Sequence, residues 1–216
     1  MAEPGASAAV RGAFHSAVDG FVNLVAAVPA SQLDEPALGS WSARDLVGHA
    51  SRALSTIEDY CGREGDGPRV EGPAAYFGRA GASPLGSEAR RRRDEGIAQR
   101  GREAGVALGR DPATTVGVLA ERVRALVDGS EDLTPVATPA GRMTLIGYLP
   151  TRTFELAVHS LDLAGALHLA VPQVLGPAVS ASLVLAAEIA AASPEAPQVL
   201  LALCGRRRLP EAFSVV

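Results

Sequence analysis

Apolar residues recur at steps of three and four along most of the chain, the spacing of one face of an α-helix. The clearest stripe lies in the first thirty residues and ends before Pro29. Its apolar members are Val10, Phe14, Ala17, Val18, Phe21, Val25 and Val28. Further helical patterns cover residues 43–57, 88–107, 112–128, 144–167, 177–192 and 196–203. Strand-period runs are no longer than a few residues, so the pattern predicts an all-α bundle of six or seven helices.

Capping signals mark the starts of two of these helices. Ser42 and Asp45 have the spacing of a capping box, in which the serine hydroxyl accepts the aspartate amide. Trp41 directly precedes the cap and can pack back onto the same helix as a hydrophobic staple. Asp111 followed by Pro112 is typical of an N-cap with proline in the first turn.

Three segments depart from this pattern. Residues 1–8 are expected to be a disordered tail, and residues 9–216 to form a single domain. Residues 62–87 are rich in Gly, Pro and Ser, which predicts a long loop of the kind that often lies at the rim of an active site. Pro150 lies inside the helical pattern of residues 144–167, where it should kink the helix or delay its start.

The charge balance gives no general reason to expect a nucleic-acid partner. The net charge is −4 and the isoelectric point is near 5.6. Arg90 to Arg93 form a basic run, but consecutive helical residues point in different directions, and Glu88, Asp94 and Glu95 flank the run. A solvated helix face explains this run better than a binding patch.

The basic residues are all arginine, which excludes enzymes that form a Schiff base on lysine. Two cysteines, Cys61 and Cys204, are too few for a disulfide framework. The first residues lack the pattern of a signal peptide, and the apolar run at 181–192 contains Glu188 and is short for a membrane span. We therefore expect a cytoplasmic protein without a membrane partner.

One helix carries a polar stripe between apolar flanks. Arg152, Glu155, His159 and Asp162 fall within an arc of ~80° on a helix. Such a stripe is costly to bury unless its groups are satisfied. A buried ion pair between Arg152 and Glu155, with a hydrogen-bonded His159, would satisfy it. Alternatively, Glu155 and His159 are four residues apart and can bind one metal ion together.

Three other histidines accompany this stripe. His49 follows Asp45 by one turn, next to an apolar helix face, and would join the stripe only if its helix faces Glu155 and His159. His15 lies beside the first apolar stripe, as a boundary histidine does. His168 is nine residues from His159 and therefore lies on the opposite helix face. It is not expected to bind the same metal ion as His159.

Three motifs occur in order: Trp41-Ser-Ala-Arg-Asp-Leu-Val-Gly-His49, then Arg152-x-x-Glu155-x-x-x-His159-x-x-Asp162, then Gly205-Arg206. Their order and separation resemble the DinB-like superfamily, and within it the mycothiol-dependent maleylpyruvate isomerase N-terminal-domain branch. The resemblance covers about residues 10–212. It implies a four-helix bundle, here with extra short helices and the long Gly/Pro-rich loop.

The resemblance also implies one divalent metal, usually zinc, held by His49, Glu155 and His159. Two imidazoles and a carboxylate leave a fourth position open for water or a thiol, and the resemblance implies that mycothiol supplies the thiol. Asp162 and Asp45 are then candidates for orienting the imidazoles or Arg152. Arg152 is a candidate either for this supporting role or for binding a substrate carboxylate.

We therefore expect a metal-dependent enzyme that activates a low-molecular-weight thiol for S-transfer to, or cis–trans isomerisation of, a small electrophile. The isomerase of this branch has a further C-terminal domain, so a thiol transferase or a biosynthetic relative is expected as readily as the isomerase. One alternative is a metal-dependent hydrolase or another enzyme that uses no thiol. Another is a non-catalytic helical binding module with residues 90–93 as a contact surface. The oligomeric state is expected to be monomer or homodimer.

Overall fold

A computed structural model describes residues 4–80, 87–211 and 213–216, and 68% of these residues are helical. The described residues form eight α-helices and two small antiparallel hairpins. The helices are α1 (Pro4–Ala27), α2 (Ala43–Tyr60), α3 (Pro73–Ala80), α4 (Glu88–Ala107), α5 (Pro112–Asp128), α6 (Leu145–Leu167), α7 (Gly176–Ala191) and α8 (Ala196–Leu203). The hairpins pair β1 (Pro36–Leu38) with β2 (Trp41–Ser42), and β3 (Pro135–Thr138) with β4 (Gly141–Thr144). The predicted all-α fold is confirmed.

Four of these helices form the central bundle. Helix α1 and helix α2 each pack against both α5 and α6. The predicted stripe of α1 lies in this core, with Phe14 and Phe21 fully buried. Leu46, Leu54 and Ile57 bring the apolar face of α2 into the same core. Outside the bundle, α4 lies on α2, whereas α3 and α7 lie on α6.

Glycines allow α2 and α4 to approach almost backbone to backbone. A Cβ atom added to Gly48 would lie 2.1 Å from the backbone nitrogen of Gly105. A Cβ atom on Gly105 would lie 2.9 Å from the carbonyl oxygen of Arg44. Since no larger residue fits these positions without moving a helix, the glycines fix the distance between α4 and α2.

The chain becomes helical earlier than the apolar stripe indicates. Helix α1 begins at Pro4, so residues 4–8 are not the disordered tail that was expected. Proline suits the first turn of a helix because its missing amide has no partner there, and the alanines that follow have the highest helix propensity. Residues 1–3 lie outside the described residues. The assignment of residues 9–216 to one domain stays a prediction.

The segment 62–87 is not a continuous loop, because it contains helix α3. With this helix, the described residues form eight α-helices, whereas the pattern predicted six or seven. Pro73 begins it, and Phe77 packs against Phe154 of α6 with ring centroids 5.1 Å apart. This contact with a distant part of the chain stabilises a helix that local composition does not favour. Residues 81–86 lie outside the described residues.

Pro150 neither delays nor ends α6. The helix begins five residues earlier, at Leu145, where the side chain of Thr144 caps it by accepting the amide of Gly147. The proline lacks only the amide that would bond to the carbonyl of residue 146. Both flanks of this position are buried in the core, and their packing outweighs the loss of one hydrogen bond.

One helical stretch of the described residues, Gln173–Ala191, is long and apolar enough to cross a membrane. It has 19 residues, a mean hydropathy of 1.8 and a third of its apolar window buried. This stretch is longer than the apolar run at 181–192 that the sequence indicated, because the helical structure begins before residue 181. A helix packed on a protein core meets the same criteria, and this one packs on α1 and α6.

We expect Gly48→Ala to lower the free energy of unfolding by about 1–3 kcal/mol, because the new methyl group would overlap the backbone of α4. Gly117→Ala in α5 is the matched control, since nothing lies within 4 Å of its added Cβ atom. This control should be neutral or stabilising by about 0.5–1 kcal/mol. Urea unfolding measures both, and equal effects of the two substitutions would contradict the close approach of α2 and α4.

Candidate metal centre

His49 is held by the start of helix α2. The Ser42 amide donates to Asp45 Oδ2 at 3.1 Å, and the Asp45 amide donates to Ser42 Oγ at 3.2 Å. This is the predicted capping box, and it fixes the first turn of the helix directly before His49. Because Asp45 closes the cap, it supports the helix start rather than orienting an imidazole, as the sequence analysis had allowed.

Helix α6 brings Glu155 and His159 to the same place. Glu155 Oε2 lies 3.4 Å from His159 Nε2 and 4.0 Å from His49 Nε2. The two imidazole rings have centroids 4.7 Å apart and stand at 81° to each other. One potential ligand atom from each residue lies within 4.8 Å of the other two. Among the described residues, this cluster has the composition and spacing of a three-ligand metal site.

Asp162 orients the imidazole of His159. Its Oδ2 lies 3.0 Å from His159 Nδ1, one turn along the same helix. A carboxylate on one ring nitrogen fixes the tautomer and turns the other nitrogen towards the metal position. The ring nitrogen that faces Glu155 is Nε2. The supporting role of Asp162 towards a bound metal stays a prediction.

His49 is held by an aromatic ring instead. The Trp41 ring lies over His49 with centroids 4.5 Å apart and an angle of 33°. Trp41 donates its indole N–H to the carbonyl of Ala98 in α4 at 3.1 Å. Gly101 of α4 leaves room for the indole, since a Cβ atom there would come within 2.9 Å of it. The Nδ1 atom of His49 is buried and has no hydrogen-bond partner among the described residues.

The three groups of the cluster have strongly shifted pKa values. Burial, followed by the charge of His159, lowers the pKa of His49 to about 4. Burial opposes ionisation of Glu155, but the hydrogen bond from His159 and the positive charge of Arg152 hold its pKa at about 2. Burial also disfavours the charged form of His159, yet hydrogen bonds to Asp162 and Glu155 raise its pKa to about 9. Glu155 is thus anionic and His49 neutral at pH 7, the forms that bind metals. His159 is protonated at pH 7 and would have to release its proton when a metal binds.

Arg152 does not form the ion pair with Glu155 that would have explained the polar stripe. Its guanidinium lies over the ring of Tyr148, 4.8 Å from the centroid, and near that of Tyr76, at 5.5 Å. Its Nε donates to Thr151 Oγ1 at 3.0 Å, and its Nη2 donates to Tyr76 Oη at 3.3 Å. The aromatic rings and hydroxyl groups accommodate this cation, which is only 7% exposed.

A cavity of about 720 Å³ opens beside the cluster. His49 and Glu155 line it, together with Arg152 and parts of α2, α3 and α4. The arginines in its wall are Arg52, Arg79, Arg93, Arg100 and Arg152, whereas Glu155 is the only acidic side chain among the described lining residues. The cavity is therefore suited to an anionic small molecule.

Two tyrosines of this cavity, Tyr76 and Tyr148, were not predicted from the sequence as site residues. Tyr148 precedes Arg152 by four residues, so helix spacing alone could have predicted their contact. The contact of Tyr76 with Arg152 follows from the position of α3, which the sequence did not predict. Neither His15, which pairs with Asp128, nor His168, which ends α6 at φ 53°, belongs to the cluster.

The arginine run at 90–93 forms ion pairs within its own helix. Arg92 pairs with Glu88, and Arg90 with Asp94, in each case over four residues. Such pairs are typical of a solvated helix face. Arg93 differs because its side chain also lines the cavity.

Comparison with known proteins places this site in a family context. A family model described as the mycothiol maleylpyruvate isomerase N-terminal domain matches residues 14–164, more than half of the chain. The matched segment contains His49, Glu155, His159 and Asp162. A search of curated proteins finds no significant match, and a search of solved structures also finds none.

We expect Asp162→Asn to destabilise the metal-free protein more at about pH 6 than at about pH 9.5. The folded pKa of His159 is about 9, above its ordinary value of 6.5. The charged form of His159 therefore contributes fully to the free energy of unfolding below pH 6.5, and this contribution is lost as the pH rises through 9. Urea unfolding with a chelator should show a loss of about 1 kcal/mol at the lower pH. An equal loss at both pH values would contradict the charged contact between Asp162 and His159.

Proposed function

Because the chain belongs to the mycothiol maleylpyruvate isomerase N-terminal domain family, we propose that it is a divalent-metal-dependent enzyme that activates a low-molecular-weight thiol. The thiol is mycothiol or a related compound, and the reaction is S-transfer to, or cis–trans isomerisation of, a small electrophilic substrate. The observation that supports this proposal most strongly is the convergence of His49, Glu155 and His159 beside a large cavity.

The metal is zinc in this proposal, held by His49, Glu155 and His159. Two imidazole nitrogens and one carboxylate oxygen are a donor set that zinc accepts, and three protein ligands leave a position for a substrate. The mutual approach of the three donor atoms to within 4.8 Å supports this fit. When bound, the ion supplies positive charge that lowers the pKa of a thiol, so that thiolate is available near neutral pH.

The surrounding residues have separate roles in this proposal. Asp162 holds Nδ1 of His159, so that Nε2 stays directed towards the metal position. Trp41 restricts the ring of His49 by stacking on it. Arg152 faces the cavity next to Glu155 and interacts with the second substrate. A cytoplasmic location fits this proposal, since small thiols are kept reduced there.

Two alternatives remain from the sequence. A metal-dependent hydrolase would use the same three ligands with water in the fourth position and would need no thiol. A non-catalytic module would need neither metal nor thiol. These proposals differ in what the purified protein binds, so binding experiments separate them before a substrate is known.

The purified chain should bind about one zinc ion tightly. His159→Ala should remove this binding, because one nitrogen donor and the hydrogen bond to Asp162 are lost together. His15→Ala is the matched control, since His15 lies outside the cluster and pairs with Asp128. Metal analysis after dialysis measures the stoichiometry. Absence of zinc from the wild-type protein, even after zinc addition, would rule out the metal-dependent function.

Calorimetry with mycothiol separates the thiol-dependent enzyme from the hydrolase. We expect mycothiol to bind the zinc-loaded chain and to bind the zinc-free chain at least about 10-fold more weakly, because the metal favours the thiolate. The matched ligand is mycothiol with its sulfur methylated, which cannot become a thiolate. Zinc binding without any preference for the free thiol would favour the hydrolase.

A further inference from the structure

Helix α8 is apolar, yet none of its residues is buried in the core. It runs from Ala196 to Leu203 without a charged residue. Leu200 and Leu203 are 63% and 74% exposed, and the helix packs on α7. Eight residues form a stable helix in water only with support from packing. Helix α8 obtains little of this support within its own chain.

Helix α7 has an apolar outer face of the same kind. Ser180, Leu183, Val184 and Ala187 are exposed and fall within an arc of ~100°. Glu188, at the edge of this arc, is the only charged residue of the helix. The outer face of a surface helix is normally polar, and exposed apolar patches mark interaction sites. We define the α7–α8 face by four exposed side chains: Leu183, Val184, Leu200 and Leu203.

The charges around α8 have opposite signs at its two ends. Glu195 directly precedes the helix, and residues 206–208 are three arginines that follow its end. All four side chains are exposed, and none forms an ion pair with a described residue. Glu195 lies five residues before Leu200, and Arg206 lies six residues after it. Two α8 helices that crossed antiparallel at Leu200 would therefore bring each Glu195 close to the arginines of the other helix.

We propose that the α7–α8 face binds a second copy of this chain, in a two-fold dimer whose α8 helices pack antiparallel at Leu200. In a two-fold interface the same patch supplies both sides and must be complementary to itself. Helix α8 meets this condition because its centre is apolar and its ends carry opposite charges. An anionic membrane surface would attract the arginines, but it would repel Glu195 and Glu188. The face lies outside residues 14–164, which match the family model, and is a feature of the segment that follows them.

Sedimentation equilibrium of the full chain tests the pairing. At about 100 μM we expect twice the chain mass of 22.1 kDa. Leu200→Glu should weaken the dimer at least about 10-fold, because it places two like charges at the centre of an apolar contact. Leu133→Glu is the matched control, since Leu133 is 66% exposed and lies outside the α7–α8 face. A wild-type monomer at this concentration, or equal effects of the two substitutions, would overturn the proposal.

A charge exchange tests the antiparallel arrangement. Glu195→Arg should weaken the dimer by about 3-fold or more, since each ion pair occurs twice in a two-fold interface. Reversal of all three arginines, with Arg206→Glu, Arg207→Glu and Arg208→Glu, should weaken it similarly. A chain that carries both changes should recover this loss, because opposite charges then face each other again. No effect of either change, or no recovery in the combined variant, would overturn the antiparallel arrangement. Circular dichroism of each variant verifies the fold.

Flotation with vesicles separates a second copy from a membrane as the occupant of the face. The vesicles contain phosphatidylcholine and phosphatidylglycerol, so that their surface is anionic. We expect the dimeric wild-type chain not to float with them, because the dimer covers its own apolar face. A chain that sediments as a monomer, floats with the vesicles and loses this binding on Leu200→Glu would overturn the proposal and assign the α7–α8 face to a membrane surface.

Discussion

The carboxylate of Glu155 is the group on which the rest of the site depends. It lies within 4.0 Å of two imidazoles that come from different helices. A carboxylate in this position stays ionised only because positive or hydrogen-bonding groups surround it. The packing of α2 against α6 therefore also determines which charged and hydrogen-bonding groups surround Glu155. The glycines of α4 and the capping box of α2 hold one side of this contact, and Asp162 holds the other.

Two buried polar groups of the site lack close partners. His49 Nδ1 has no hydrogen-bond partner among the described residues, and Arg152 is buried and forms no ion pair with a carboxylate of those residues. Each arrangement costs free energy in the isolated chain. The apolar core of α1, α2, α5 and α6 offsets this cost, and an anion bound beside Arg152 would reduce part of it. A buried charged group without a close counter-ion, beside groups with strongly shifted pKa values, is typical of a binding site.

The bundle and the metal cluster could be predicted largely from local sequence. The stripe on α1, the capping box before α2 and the spacing of Glu155 and His159 depend on helix geometry, which acts over a few residues. The early start of α1 was missed because its first turn lies before the apolar stripe. Helix α3 was missed because its stability depends on Phe77 meeting Phe154, nearly eighty residues away. Helix spacing allowed Arg152 to contact either Glu155 or Tyr148. Only the tertiary structure showed that its guanidinium lies against the ring of Tyr148.

The central claim is that His49, Glu155 and His159 hold one metal ion together. Diffraction from crystals grown with zinc, with data collected at the zinc absorption edge, tests it most directly. The account predicts one strong anomalous peak within about 2.0–2.2 Å of Nε2 of both histidines and a carboxylate oxygen of Glu155. A zinc peak at Cys61, at Cys204 or at surface carboxylates, with no density between the three residues, would contradict it.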